Sequence, residues 1–477
     1  MLQKTIKILI FIFIFCILLK LTTNVLRIKD DIGIYQLDTF YREKDNIIDV
    51  LMIGSSHIYV NLNAYYLYKY HGIAGFDLAG GAQPIWNTYY YLKEALKTQT
   101  PKLIIFDPYM LWLDRDYFDD WTKIGSTYGL KWSFDRINAI KVSVEKNRWN
   151  NFLNSFVQYH NRYLSLNKSD FLPYKGNEYN YKYWKGFVTF RDRTNQINYL
   201  NIDNITNVRK LYPKVEKYFR MTLELAQKNN IQMLMLKTPS GTTIFSQELY
   251  NEAALIAKEY NVDFLNLTLS KYIELCNLDY TNDFWDGGHL NSVGAEKVAK
   301  YVGKYIIENY NIPDRRGDPN YYSWEMNAKY QDKEIYNFEL KQYTNIYEYI
   351  KKVKNTNDYI MGITMLGDYK KDDFVVKNII THFNINEMYL ENDSYVIDNN
   401  KLIYFSHGSN QYLFYKEIGN YTDLVLDSGR KLSINRTNYI KTTNGINILI
   451  YDKFTEEIVD NIYLEYKENS IDDTIKR

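Results

Sequence analysis

Between residues 47 and 106 short unbroken apolar runs alternate with stretches of helical period. The runs are Val50 to Ile53, Ala74 to Leu78 and Leu103 to Phe106, and the helical stretches between them are Ala64 to Tyr70 and Trp86 to Leu96. Apolar runs of four or five residues bounded by turn residues read as strands buried on both faces, and their alternation with helices implies βαβ units. The rhythm lapses after residue 108 and resumes with a helix predicted over Val208 to Lys228, a strand over Ile231 to Leu236, a helix over Gln247 to Tyr260, a strand over Val262 to Leu265 and a last helix over Ser292 to Asn309. This predicts an α/β fold, a three-layer α/β/α sandwich on a five-stranded parallel sheet in the flavodoxin-like order 2-1-3-4-5.

The flanks have a different texture. Ile8 to Leu19 is unbroken and apolar, and Lys20 can snorkel so that the span extends to Leu26. No small-x-small cleavage site follows, so residues 1–27 read as an uncleaved transmembrane anchor rather than a removed signal peptide. Lys4 and Lys7 ahead of it place the N-terminus in the cytoplasm and the rest outside. The expected organisation is an anchor at 1–27, a catalytic domain at 28–310 with an aromatic-rich insertion at 108–205, a polar linker at 311–325 and a β-rich accessory domain at 326–477. Trp112, Trp121, Trp132, Trp149 and Trp184 fall in the insertion. They read either as its own core or as platforms for sugar rings.

Composition removes several classes of function. A net charge of +1 gives no footprint for nucleic acid. Cys276 is the sole cysteine outside the apolar N-terminal run, which excludes an internal disulfide in the soluble part and a zinc-thiolate site. The histidines, at 57, 71, 160, 289, 382 and 407, show no metal-binding spacing, so neither metal nor cofactor is expected. The 48 tyrosines read as compositional bias.

The candidate chemistry begins where the first strand ends. Val50 to Ile53 runs into Gly54-Ser55-Ser56-His57, which delivers a serine to the carboxyl edge of the sheet, where open α/β folds place their sites. A serine hydroxyl needs a base, and the base needs an orienting carboxylate. His289 alone combines a close carboxylate with a following helix, in Asp286-Gly287-Gly288-His289. Asp286 can then hold one ring nitrogen while the other faces Ser56. Ser55 stays as a rival nucleophile and His57 as a rival base.

Gly54-Ser55-Ser56 followed far downstream by Asp286-x-x-His289 resembles the SGNH (GDSL-type) hydrolase superfamily over roughly residues 45 to 310. The membrane-anchored branch is the nearer likeness, including DltD-like proteins and partners of membrane-bound O-acyltransferases that modify surface polysaccharides. The resemblance implies a catalytic Ser56, His289 and Asp286 and an oxyanion hole from the Ser56 N–H and the turn Gly81-Ala82-Gln83. Phe106-Asp107-Pro108-Tyr109 stands where the family keeps Gly-x-Asn-Asp, so Gln83 or Asn87 is the candidate replacement for its asparagine. The implied activity is acyl transfer to a cell-surface polysaccharide, with O-acetylation foremost and a multi-spanning membrane partner as acyl source. The alternatives are an extracytoplasmic carbohydrate esterase or deacetylase, D-alanyl transfer to teichoic acid, and a non-catalytic glycan-binding protein. Asn444 to Asp452 with Ile458-Val459-Asp460 resembles ILEI/PANDER-like domains, which implies a carbohydrate-facing or packing module.

Overall fold

The computed structural model describes residues 2–29, 32–166, 168–171, 185–191, 197, 199–367, 373–383, 393–406, 413–419, 422–427, 431–467 and 470–477. Trp184 and His407 lie outside them. The chain divides into two units, Met1–Ala328 and Lys329–Arg477.

In the first unit, helix α1 (Leu2–Leu26) is long and apolar enough to cross a membrane; Ile6 to Leu18 carry exposed apolar side chains, while Leu26 at its end is buried. A short helix α2 (Ile34–Phe40) follows and sinks Leu37 and Phe40 into the core. The sheet is β1 (Val50–Gly54), β2 (Gly75–Ala79), β3 (Leu103–Phe106), β4 (Gln232–Lys237) and β5 (Asp263–Asn266), all parallel in the order 2-1-3-4-5. Every residue of β1, β2 and β3 is buried, as a strand covered by helices on both faces requires. Each fully buried Leu or Ile side chain there contributes about 1.5–3 kcal/mol.

The helices that cover the sheet begin where local chemistry allows. Asn63 caps α4 (Ala64–His71), accepting from the Tyr65 N–H, and Asn291 caps Ser292–Asn309. The helix expected from Val208 starts at Pro213 instead, because proline is well suited to the first helical position and its ring clashes further in. The insertion holds α6 (Asp120–Gly125), α7 (Phe134–Ser143), α8 (Trp149–Leu153) and α9 (Ser155–Tyr159), which follow α5 (Ile85–Ala95) in the chain. Tyr128, Ile140, Val144, Phe152 and Tyr159 form a cluster with Leu26 and Ile34. Of its tryptophans, Trp149 is half-buried and donates its indole N–H to Val144 O (2.9 Å), while Trp121 and Trp132 are exposed.

The stretch expected as a linker joins the first unit. Arg315 grips the buried Asp49 through Nε (2.6 Å) and Nη2 (2.9 Å), and the buried Trp324 donates its indole N–H to Gly75 O (2.9 Å). The polar residues of this stretch make ion pairs with the core unit instead of lying free as a linker would. The second unit carries an antiparallel six-stranded sheet and a four-stranded sheet. Ile360, Leu449 and Val396 of the first meet Leu424, Leu426 and Leu432 of the second. The opposite face of the larger sheet is covered by Ile346–Lys354 and Phe374–His382.

Candidate active site

The carboxyl ends of β1, β2 and β4 gather the candidate residues. Ser55 caps the six-residue helix α3 (Ser56–Asn61), so Ser56 opens a helix directly after a buried strand. Gly54 is in the left-handed region at φ +146°, where a side chain would strike the Asp107 Cβ at 2.5 Å. That close approach lets Asp107 take both the Ser55 hydroxyl (2.5 Å) and the Ser55 N–H (3.1 Å) on one oxygen, and the Tyr109 N–H (2.9 Å) on the other. Burial lifts the Asp107 carboxyl above its ordinary range, against the lowering effect of these bonds and of Lys237. Ser55 is thus committed to the interior.

Ser56 faces the other way. Its Oγ lies 2.7 Å from His289 Nε2, and His289 Nδ1 lies 2.9 Å from both oxygens of Asp286. Burial pushes the Asp286 carboxyl up, but bonds from the His289 ring and from the N–H groups of Gly288 and His289 (both 2.8 Å) outweigh it and hold it below the usual range. The tight loop is closed by a bridge between Phe284 and Leu290, with the Trp285 N–H donating to His289 O (2.9 Å). The structure therefore brings Ser56, His289 and Asp286 into one hydrogen-bonded chain.

His57 plays no equivalent part. Its ring is buried, stacks on Tyr109 with centroids 3.4 Å apart, and is driven well below its ordinary pKa by burial, then by Lys237 and His289. It forms a neutral floor beneath His289, 5.2 Å away. No protein-family model matches the chain, and none of the curated proteins matches it.

The turn after β2 leaves the same edge, since Gly54 pairs with Ala79. Ala82 sits at φ +45°, a sparsely populated conformation for a residue with a Cβ. Gly81 lies under exposed Trp121, where a Cβ would meet the indole at 2.4 Å. Gln83 is buried and donates to Thr88 Oγ1 (3.1 Å). Asn87 is occupied with the insertion, donating to Ser126 O (3.4 Å) and accepting from Ser143 Oγ (3.0 Å). Among the described residues, neither amide side chain hydrogen-bonds to Ser56 or His289.

Three residues beyond the sequence reading support the site. Asn61 donates to Thr238 Oγ1 (3.0 Å) and Gly288 O (3.1 Å) and accepts from the Leu290 N–H (2.8 Å), while Thr238 Oγ1 donates to His57 O (3.1 Å). One side chain thereby ties together the loops after β1 and β4 and the loop bearing His289. Lys237 is buried at the end of β4, donating to Thr238 O (2.6 Å) and Ser240 Oγ (2.7 Å), and burial pushes its pKa down to about 8. Phe190 stacks on Trp285 at 3.9 Å and packs edge-on against His289 at 6.2 Å. It is delivered by a segment bonded to α3 and to the start of the helix Ser292–Asn309, through Val188 N–H to Tyr59 O (2.9 Å) and Ser292 N–H to Phe190 O (2.7 Å).

Proposed function

We propose that this chain is a serine-dependent acyltransferase that modifies an extracellular or cell-surface polysaccharide through an acyl-serine intermediate, with acetyl as the foremost acyl group. The observation that carries the reading is the Ser56, His289, Asp286 chain at 2.7 and 2.9 Å on the carboxyl edge of a parallel sheet. In the first half-reaction Ser56 Oγ bonds to the acyl carbon as its proton passes to His289 Nε2. That proton then goes to the departing oxygen of the donor. In the second half a sugar hydroxyl gives its proton to His289 and attacks the ester, and Ser56 regains its proton as it leaves. Asp286 keeps Nδ1 protonated and stabilises the imidazolium. The N–H groups of Ser56 and of the turn Gly81 to Gln83 hold the oxyanion, each donor stabilising the transition state by about 3 kcal/mol.

Two features favour transfer to a sugar. Helix α1 would keep the site beside a donor delivered through the bilayer by a multi-spanning partner, with the catalytic unit outside the cytoplasm. Exposed Trp121 over Gly81 offers an aromatic face for a sugar ring at the oxyanion turn. Esterase chemistry shares the same acyl-serine, so the test measures its fate. Purified chain is given an activated acetyl ester, and the ratio of acetylated sugar to free acetate is followed as an oligosaccharide acceptor is raised. The ratio is expected to climb with acceptor and to vanish, together with all ester turnover, in Ser56→Ala. A ratio fixed near zero with rapid deacetylation of an acetylated glycan would make the protein an esterase, and an unaffected Ser56→Ala would remove the triad.

A further inference from the structure

A second polar site lies at the membrane end of the first unit and shares no residue with the Ser56 site. A cavity of about 320 Å³ is lined by Arg27, Lys131 and Arg136 together with Tyr128 and Trp132, and a smaller one of about 140 Å³ shares Arg27, Tyr128 and Arg136 and reaches Thr23 and Asn24 in the last turns of α1. Among the described lining residues the single carboxylate is Asp38, already paired with Arg42 at 2.5 Å. The cations are incompletely used. The Nε of Arg27 and the Nε of Arg136 are both buried and meet no acceptor among the described residues. Arg136 otherwise donates to Leu130 O (3.0 Å) and Ser155 Oγ (3.5 Å), and Lys131 holds its ammonium 4.1 Å above the Tyr41 ring. Lys29, also in the lining, is spent on Asp170 O.

Buried guanidinium donors without acceptors, beside a like charge, mark a cleft that is electrostatically unfinished. A phosphate completes it, since its oxygens accept from two guanidiniums at once. The location says where that phosphate comes from. Arg27 directly follows the apolar helix, at the level of lipid headgroups if α1 spans the bilayer, and exposed Trp132 supplies the aromatic ring typical of that level. The insertion segment that packs on α1 also exposes Val157, Leu164 and Phe171, apolar side chains suited to the acyl boundary. Arg162 fastens this segment to α1 by donating to Leu26 O.

We infer that the Arg27, Lys131, Arg136 cleft binds the phosphate headgroup of an anionic membrane lipid. The inference rests on α1 as a membrane span and is independent of the chemistry at Ser56. The test uses the full chain in a neutral detergent, with native mass spectrometry and thermal shift as readouts. Dihexanoyl phosphatidylglycerol, dihexanoyl phosphatidylcholine and inorganic phosphate are titrated separately against wild type, R27Q/R136Q and K131Q. Phosphatidylglycerol should bind and stabilise wild type, phosphatidylcholine should not, and inorganic phosphate should bind far more weakly. The double variant should lose about thirtyfold in affinity and K131Q about fivefold. Ester hydrolysis by Ser56 should be unchanged in both variants, which reports that they are folded. K131Q, at an exposed position, tests the site even if the double variant does not fold. Equal binding of the two lipids, equal binding by the variants, or inorganic phosphate binding as tightly as the lipid would each overturn the proposal. Sodium carbonate extraction of the full chain from membranes checks the span separately: release into the supernatant would remove the headgroup assignment while leaving Ser56 untouched.

Discussion

Two adjacent serines meet different fates because the helix cap turns one inward. Ser55 Oγ is buried on Asp107, whereas Ser56 Oγ is offered to His289. Ser56→Ala should therefore leave the unfolding midpoint nearly unchanged while ester turnover falls by about four orders of magnitude. Ser55→Ala should do the reverse, lowering stability by about 1–3 kcal/mol because a buried carboxyl loses a partner, with most turnover retained. Lys237 adds a pH dependence. Its folded pKa of about 8 lies below its ordinary 10.5, so the unfolded chain binds the proton more tightly and the burial cost, about 3 kcal/mol, is fully present below pH 8. That cost fades as pH rises from about 8 toward 10.5. Compared by urea unfolding at pH 7 and pH 10, Lys237→Met should lose ground to wild type at the higher pH; a gap that does not move would show that burial leaves the Lys237 ammonium with the proton affinity of an ordinary lysine. Ser56, Asp286 and His289 were legible in the sequence because each carries a local signal, a strand-turn-helix junction or an Asp-x-x-His loop. Asn61 carries none, since its partners lie 177 and 229 residues away. The partners of Asn87, Ser126 and Ser143, were not legible either, because a buried amide near the turn can as readily join elements of the insertion as face a ligand.

At the level of elements, the parallel sheet and its order could be read because strands buried on both faces are uniformly apolar, and because each is separated by a helical period. Short elements escaped. Seven-residue α2 is too brief to show a period, and the start of Pro213–Lys228 was set by proline rather than by hydrophobicity. Residues 311–325 read as a linker because they are polar, yet Arg315 and Trp324 finish the first unit. Trp324→Ala should destabilise it by about 3–5 kcal/mol, seen as an early fluorescence transition on heating. A chain ended at Ile312 should be insoluble, since it loses Tyr321 and Trp324 from the core of the first unit and leaves the buried Asp49 with Lys102 alone. Asn61→Ala should reduce kcat by about 10–100-fold with KM little changed, because it loosens the loop carrying His289 without touching substrate.

For the whole molecule, α1 predicts that the chain stays in the membrane fraction after carbonate washing, and that a chain lacking residues 2–22 is released yet keeps Leu26 in its cluster and retains ester hydrolysis. Fractionation with an activity assay checks both. The separation of Ser56 from His289 along the chain, 233 residues, has a consequence for synthesis. The nucleophile emerges early from the ribosome and its base late, so every nascent chain shorter than residue 289 bears a serine with the reactivity of an ordinary alcohol. On the proposed chemistry, products that stall before Asp286 would leave the esters around them intact. A fluorophosphonate probe should label released full-length protein and leave arrested chains ending before Asp286 unmarked, since on the proposed chemistry the serine gains its base only once the Asp286–His289 loop has been made and folded.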